Sequence, residues 1–389
     1  MHPLSRRLGE IIREDLKLEG HVPLHSPVFQ GREWDYVKDC LDTGWVSSVG
    51  SYVDAFEAAM AARAGTRFAV ATVNGTAALH ASLHALGVGP GDLVVCPTLT
   101  FVASANAIAY CGASPLLADS EAETLGLDAA GLANFLAKRT VRRAGGVYLD
   151  DRRVAAILPV HLFGHAADLT ALGEVAADHG LPMVEDASEA LGTLHRGRPC
   201  GGVGLIGTFS FNGNKIVTCG GGGMIVTDDE PLAQRLKHLT TTARLRHAWQ
   251  FMHDEVGFNY RLPNLNAALG LAQLERLDEM IEGKRRLADF YRERLSGLRG
   301  VRFVDEPAGD RSIFWLNAAL VTDERMRDRV LEETNEAGID TRPAWIPMHD
   351  LPAFRDTPRT GNFPVATEIV ARLVNLPSSA WMAEHLPKT

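Results

Sequence analysis

Phe68-Ala-Val-Ala-Thr-Val73 passes through Asn74 into Gly75-Thr-Ala-Ala-Leu-His-Ala-Ser-Leu-His-Ala-Leu86, and this change of texture decides the fold. The first run is short and apolar, as a strand buried on both faces requires. The second spaces Ala and Leu as a helix does and is closed by Gly87. The pattern then repeats. Asp92 to Cys96 reads as a further strand ended by Pro97, and Val154-Ala-Ala-Ile-Leu-Pro-Val160 as another. Asp168 is placed to cap a helix running to Gly180, ahead of the strand Met183-Val-Glu-Asp186. Strands separated by helices of this length build βαβ units, so an α/β fold with a mostly parallel central sheet is predicted. In such sheets ligands gather at the C-terminal ends of the strands. Gly220-Gly-Gly-Gly223 is read as a turn leading into a strand, Met224 to Thr227.

Beyond about residue 250 the texture changes. Leu265, Ala268, Leu269, Ala272, Leu277, Met280, Ile281, Leu287 and Tyr291 recur every three or four residues, predicting one long amphipathic helix that joins two domains. A strand over Ile313–Val321, a helix over Glu324–Ala337 and a Pro-punctuated tail complete a smaller α+β domain. The expected division is a large domain over 1–250 and a small one over 251–389.

Composition narrows the function. The 389 residues are 46% apolar and 22% charged, which suits a globular protein with an ample core. Net charge is -9, from 39 Lys plus Arg against 48 Asp plus Glu, and no basic run offers a footprint for nucleic acid. Five scattered cysteines without CxxC spacing argue against a zinc ribbon or a disulfide framework and for a reducing compartment. The N-terminal MHPLSRRLGEIIREDLK has no apolar segment, and no uninterrupted apolar stretch reaches the ~18 residues of a membrane span. A cytoplasmic protein without nucleic-acid or membrane partners is expected.

The chemistry concentrates in Thr208-Phe-Ser-Phe-Asn-Gly-Asn-Lys215-Ile-Val-Thr-Cys-Gly-Gly-Gly-Gly223. Lys215 follows an apolar strand among small polar residues, so its amine emerges at a strand end where partial desolvation favours the nucleophilic form. Upstream, Pro182-Met-Val-Glu-Asp-Ala-Ser-Glu189 ends a strand in acids. A carboxylate at Asp186 either caps the next turn or meets a cation. The protonated ring nitrogen of pyridoxal phosphate is such a cation, and this cofactor demands a Lys and Asp pair. Asn74-Gly75-Thr76 opens a helix, where free N–H groups and the helix dipole favour an anion; an ordinary helix start reads the same way. Phe101 offers either a stacking face for a ring or plain core packing.

Other motifs compete. Gly202-Val-Gly-Leu-Ile-Gly207 matches GxGxxG, but Thr-Phe-Ser-Phe follows where a dinucleotide site needs a helix. His80 and His84 read as helix-surface histidines, and His161 and His165 as flanking a loop, with no carboxylate completing a metal set in sequence. Walker A, GxSxG and HExxH motifs are absent.

Taken together, the pieces resemble the pyridoxal-phosphate-dependent nucleotide-sugar aminotransferases of the DegT/DnrJ/StrS type, particularly their legionaminic-acid branch. The resemblance is carried by Pro23-Leu-His25, Gly44-Trp-Val-Ser-Ser-Val-Gly50, Ala71 to Leu79, Thr100-Phe-Val-Ala-Ser-Ala-Asn106, Val184 to Glu189, Ser210-Phe-Asn-Gly-Asn-Lys215, Gly257-Phe-Asn-Tyr-Arg-Leu-Pro263 and Leu373-Val-Asn-Leu-Pro377. It implies a fold-type I transferase in which Lys215 binds the cofactor as a Schiff base and then moves protons. Asp186 would hold the pyridinium, Phe101 stack on the ring, and Gly75, Thr76 and Ser210 hold the phosphate. Asn259 would reach the same phosphate from a neighbouring subunit, which implies a homodimer. Glu189 stands near the ring hydroxyl, where many relatives carry Gln or His. The implied donor is L-glutamate. The implied acceptor is a UDP-linked 2-acetamido-4-keto-6-deoxyhexose, with GDP-linked or doubly acetamido sugars as alternatives, Trp45, Arg244, Trp249, Trp345 and His349 as candidate readers of the base and sugar, and Gly44–Gly50 as a substrate loop. Two alternatives accompany this reading. One is a sugar dehydratase, though such relatives carry histidine where Lys215 stands. The other is a non-catalytic cofactor-binding regulator.

Overall fold

The structure, a computed structural model, describes residues 2–387. Its centre is a sheet of seven neighbouring strands. Phe68–Thr72, Gly223–Thr227, Ile206–Ser210 and Val184–Asp186 form one half in that order, and Arg152–Ile157, Leu93–Pro97 and Ser114–Ala118 continue it. Parallel bridges from Ile157 to Met183 and from Val160 to Asp186 join the halves. Only Gly223–Thr227 runs antiparallel to its sheet neighbours among these seven; the rest are parallel, as the βαβ pattern predicts. A hairpin of Thr140–Arg143 and Gly146–Leu149, not anticipated from the sequence, adds antiparallel strands beside Arg152–Ile157.

The helix boundaries follow local chemistry. Asn74 accepts from Ala77 N (2.8 Å) to open Gly75–Ala85, and Asp168 accepts from Ala171 N (3.1 Å) to open Leu169–His179, which Gly180 closes at φ 64°. The single long helix expected over Leu265–Tyr291 is two: Asn264–Glu275 and Leu277–Leu295, separated at Arg276 (φ −103°, ψ 6°). Asp278 and Glu279 in the first turn of the second helix are the residues that favour a new N-terminus there.

Two cores result. The first surrounds the central sheet and extends through Ile281, Ile313 and Trp315. The second packs Leu4, Ile11, Ile12, Leu16 and Val22 against Leu287, Tyr291, Val374 and Leu376. It therefore draws on both ends of the chain and does not follow a division at residue 250. Its sheet orders Val301–Phe303, Asn317–Val321, Leu373–Leu376 and Arg342–Pro343, all antiparallel. The strand expected over Ile313–Val321 is thus shorter, because Ile313–Leu316 turns towards the large sheet instead.

Candidate active site

The C-terminal ends of Phe68–Thr72, Leu93–Pro97, Val184–Asp186 and Ile206–Ser210 open onto one cavity of about 280 Å³. Gly75, Thr76, Phe101, Asp186, Glu189, Ser210 and Lys215 all line it. Asn259 does not; it is exposed on the segment after Thr241, where its Oδ1 accepts from Arg261 Nη2 (3.2 Å).

Lys215 lies on the turn beyond Ile206–Ser210, its N–H donated to Asn212 O (2.9 Å). Its Nζ donates to Glu189 Oε1 at 3.1 Å and sits 4.1 Å from the centroid of the Trp315 ring. A carboxylate and an aromatic face are the two partners an ammonium seeks. Burial pushes the Glu189 carboxyl up; the charge of Lys215 and the N–H of Phe163, donated to Glu189 Oε2 at 3.0 Å, oppose that without cancelling it. Trp315 escaped the sequence reading because its role depends on a contact a hundred positions away. Its Nε1 donates to Asn214 O (2.8 Å), and its backbone lies so close to Gly164 that a Cβ there would meet Trp315 N at 2.4 Å. Gly164 also needs its φ of 101°.

Asp186 ends its strand 5% exposed. Oδ2 accepts from Ser104 Oγ (2.8 Å) and Oδ1 from Ser188 N (3.2 Å). Its neighbour Glu185 points to the other side of the strand, fully buried, and accepts from Gly201 N (2.6 Å), Val203 N (2.8 Å), Gly204 N (2.6 Å) and His161 Nε2 (3.0 Å). Ala167 N donates to His161 Nδ1 (3.0 Å), which leaves the ring proton on Nε2. Burial alone would raise the Glu185 carboxyl, but these donors hold it below the usual carboxylate range. The GxGxxG match is thereby explained: Val203 and Gly204 give their N–H groups to a buried carboxylate, and the strand Ile206–Ser210 begins inside the motif where a dinucleotide site needs a helix.

The helix Gly75–Ala85 meets Ser210 so closely that a Cβ on Gly75 would sit 2.8 Å from Ser210 Cβ. Asn74 takes the N–H of Ala77, while the N–H groups of Gly75 and Thr76 have no acceptor among the described residues. Donors gathered around a space that glycine keeps open suit a phosphate. Phe101 is 52% exposed in the cavity lining, its ring at 62° to that of Trp345 (6.2 Å); Trp345 itself stacks on Phe163 (5.1 Å, 13°). A lysine, an acid across the cavity, an exposed aromatic ring and an anion seat fit pyridoxal phosphate.

Of the other residues expected to read substrate, Trp345 alone lines this cavity. His349 Nδ1 pairs with Thr98 Oγ1 (2.6 Å), and Trp249 is exposed. The Gly44–Gly50 loop is held by buried Asn264, which donates Nδ2 to Trp45 O (2.7 Å) and its N–H to Ser47 O (2.7 Å). His80 is not a surface histidine: it is buried against Phe258 (4.8 Å) and paired with the Tyr260 hydroxyl (3.0 Å), because the segment after residue 257 folds over its helix.

The chain belongs to the DegT/DnrJ/EryC1/StrS aminotransferase family, whose sequence profile it matches over residues 28–386. It is a pyridoxal-phosphate-dependent aminotransferase with the fold-type I architecture. Among curated relatives, a GDP-perosamine synthase of Caulobacter vibrioides is 39% identical over 367 residues, 93% of this chain and 94% of the relative. Among solved structures, the aminotransferase TlmJ of Streptoalloteichus hindustanus is 30% identical with a TM-score of 0.85, covering 94% of this chain and 97% of its own. DesV of S. venezuelae is 31% identical with a TM-score of 0.83, covering 95% of both chains. No helix among the described residues is long and apolar enough to cross a membrane.

Proposed function

We propose that this protein transfers an amino group from L-glutamate to the 4-keto group of a nucleotide-linked 6-deoxyhexose. The observation that carries the reading is Lys215 Nζ inside a cavity that also holds the Asp186 carboxylate and the open helix end at Gly75. Bound pyridoxal phosphate supplies an electron sink that makes the proton on the carbon bearing the amine labile. Lys215 then takes that proton from the donor and later returns one to C4 of the sugar. Glu189 holds the Lys215 amine towards the cavity, Asp186 keeps the ring nitrogen charged, and Gly75, Thr76 and Ser210 bind the phosphate. Phe101 covers the ring face, and Trp315 excludes water behind Nζ.

The sugar read from the quoted segments is UDP-linked and 2-acetamido, as in the legionaminic-acid branch. The identity to a GDP-perosamine synthase favours a GDP-linked 4-keto-6-deoxyhexose as the second reading. A homodimer belongs to the proposal as well. Asn259 is exposed, and on the same segment Trp249, Phe251, Met252 and Val256 are 77%, 75%, 56% and 84% exposed, apolar side chains that a second copy would cover while Asn259 reaches its phosphate. Five cysteines, all unpaired and buried, accord with a cytoplasmic setting.

The test is direct. Purified protein carrying the cofactor is assayed with glutamate and UDP-, GDP- and dTDP-linked 4-keto sugars, following 2-oxoglutarate release and the visible band of the cofactor. The band is expected to bleach with glutamate and recover with one keto sugar. A band indifferent to amino donors would refute aminotransfer, and turnover of GDP- but not UDP-sugar would decide for the second reading.

A further inference from the structure

Asp186 is held by more than its own strand. Ser104, in the first turn of the helix Val102–Tyr110, is fully buried and places Oγ 2.8 Å from Asp186 Oδ2. An ionised carboxylate only accepts, so the single hydroxyl proton of Ser104 points at Asp186. Thr100 Oγ1 lies 3.0 Å from Ser104 Oγ and 3.2 Å from Phe101 O; since Ser104 has spent its proton, Thr100 is the donor in whichever of these two contacts it makes. Thr100 is also fully buried. A hydroxyl pair therefore runs from the start of this helix to the acid at the cavity floor. The same turn carries Phe101 as its N-cap, and Ser104 N donates to Phe101 O (3.3 Å). One helical turn thus sets both the face offered to a ring and the acid at that ring's edge.

We propose that Ser104, backed by Thr100, is the positioning residue that aims the Asp186 carboxylate toward the ring nitrogen of pyridoxal phosphate. This rests on the reading above that Asp186 meets that nitrogen. The physical reason is that a strong donor on one carboxylate oxygen removes the rotation that would let the acid turn away. Ser188 N fixes the other oxygen at a longer 3.2 Å, so the two donors define the carboxylate plane.

A double-mutant cycle on the apoprotein tests it, read as the dissociation constant of pyridoxal phosphate from absorbance and tryptophan quenching. Ser104→Ala removes one oxygen and is expected to weaken binding about tenfold, the order of one hydrogen bond to a charged group. In an Asp186→Ala background the same change is expected to cost less than about twofold, because its partner is gone. Thr100→Val provides a second variant, with a smaller loss that also vanishes without Asp186. Equal losses in both backgrounds would overturn the proposal, since a serine that merely packs the helix does not need Asp186; no loss in either background would overturn it too. If Asp186→Ala alone leaves affinity unchanged, the assignment of Asp186 to the ring nitrogen fails instead, and the two failures are told apart.

Discussion

Lys284 is fully buried and its Nζ donates only to Trp315 O (2.9 Å) and Ser378 O among the described contacts. Burial lowers its pKa from 10.5 to about 7. At about 1.4 kcal/mol per pH unit that gap is worth at most ~5 kcal/mol, an upper limit because the two carbonyls favour the ammonium. The unfolded lysine keeps its proton up to 10.5 and the folded one only to about 7, so between these values unfolding takes up a proton. This lysine's contribution is therefore fully favourable above 10.5 and is lost as pH falls through about 7, below which the penalty is constant. Lys284→Met removes the titration. It also leaves two buried carbonyls unpaired, at a cost of about 1–3 kcal/mol each that does not change with pH. The expected result is that wild type gains on the variant by on the order of 1 kcal/mol per pH unit between about pH 7.5 and pH 10. Urea unfolding of both apoproteins at several pH values measures it, other titrating groups cancelling in the difference. A difference that stays flat across this range would refute the reasoning.

Lys215→Ala is expected to lower turnover at least about a thousandfold, as loss of both the covalent anchor and the proton carrier demands, while the protein still binds pyridoxamine phosphate; a retained kcat would reject the role. Gly75→Ala forces a Cβ to within 2.8 Å of Ser210 Cβ, so pyridoxal phosphate affinity should fall by about 1–3 kcal/mol in a binding titration, and unchanged affinity would place the phosphate elsewhere. Inactive Lys215→Ala and Asn259→Ala chains, unfolded and refolded together in equal amounts, should regain about a quarter of wild-type activity, since half the dimers are mixed and each mixed dimer has one intact site. No recovery in the mixture would mean that Asn259 serves its own chain or no site at all.

What the sequence made legible is what depends on near neighbours. The strand at Phe68, the helix start at Gly75 and the helix from Asp168 to Gly180 are each written in a few consecutive residues, and the structure repeats them within one or two positions. The cavity lining followed because a parallel sheet delivers its strand ends to one edge, so Gly75, Asp186 and Ser210 meet although the chain separates them widely. Other features had no local signature. The break at Arg276 was hidden by apolar spacing that continues across it, and only the acids at 278 and 279 mark it. His80 read as a surface residue because nothing near it in sequence announces Phe258 and Tyr260. Trp315 belongs to the same class, and it shows why such residues matter to the chemistry. Its ring lies against Lys215 on the turn beyond the central sheet, and its carbonyl accepts from Lys284 on the helix Leu277–Leu295, which also reaches the second core. A displacement of that helix would therefore act on the reactive amine through a single side chain. Periodicity along the chain carries no trace of such a link, since Trp315 and Lys284 are joined to Lys215 only by contacts between segments distant in sequence.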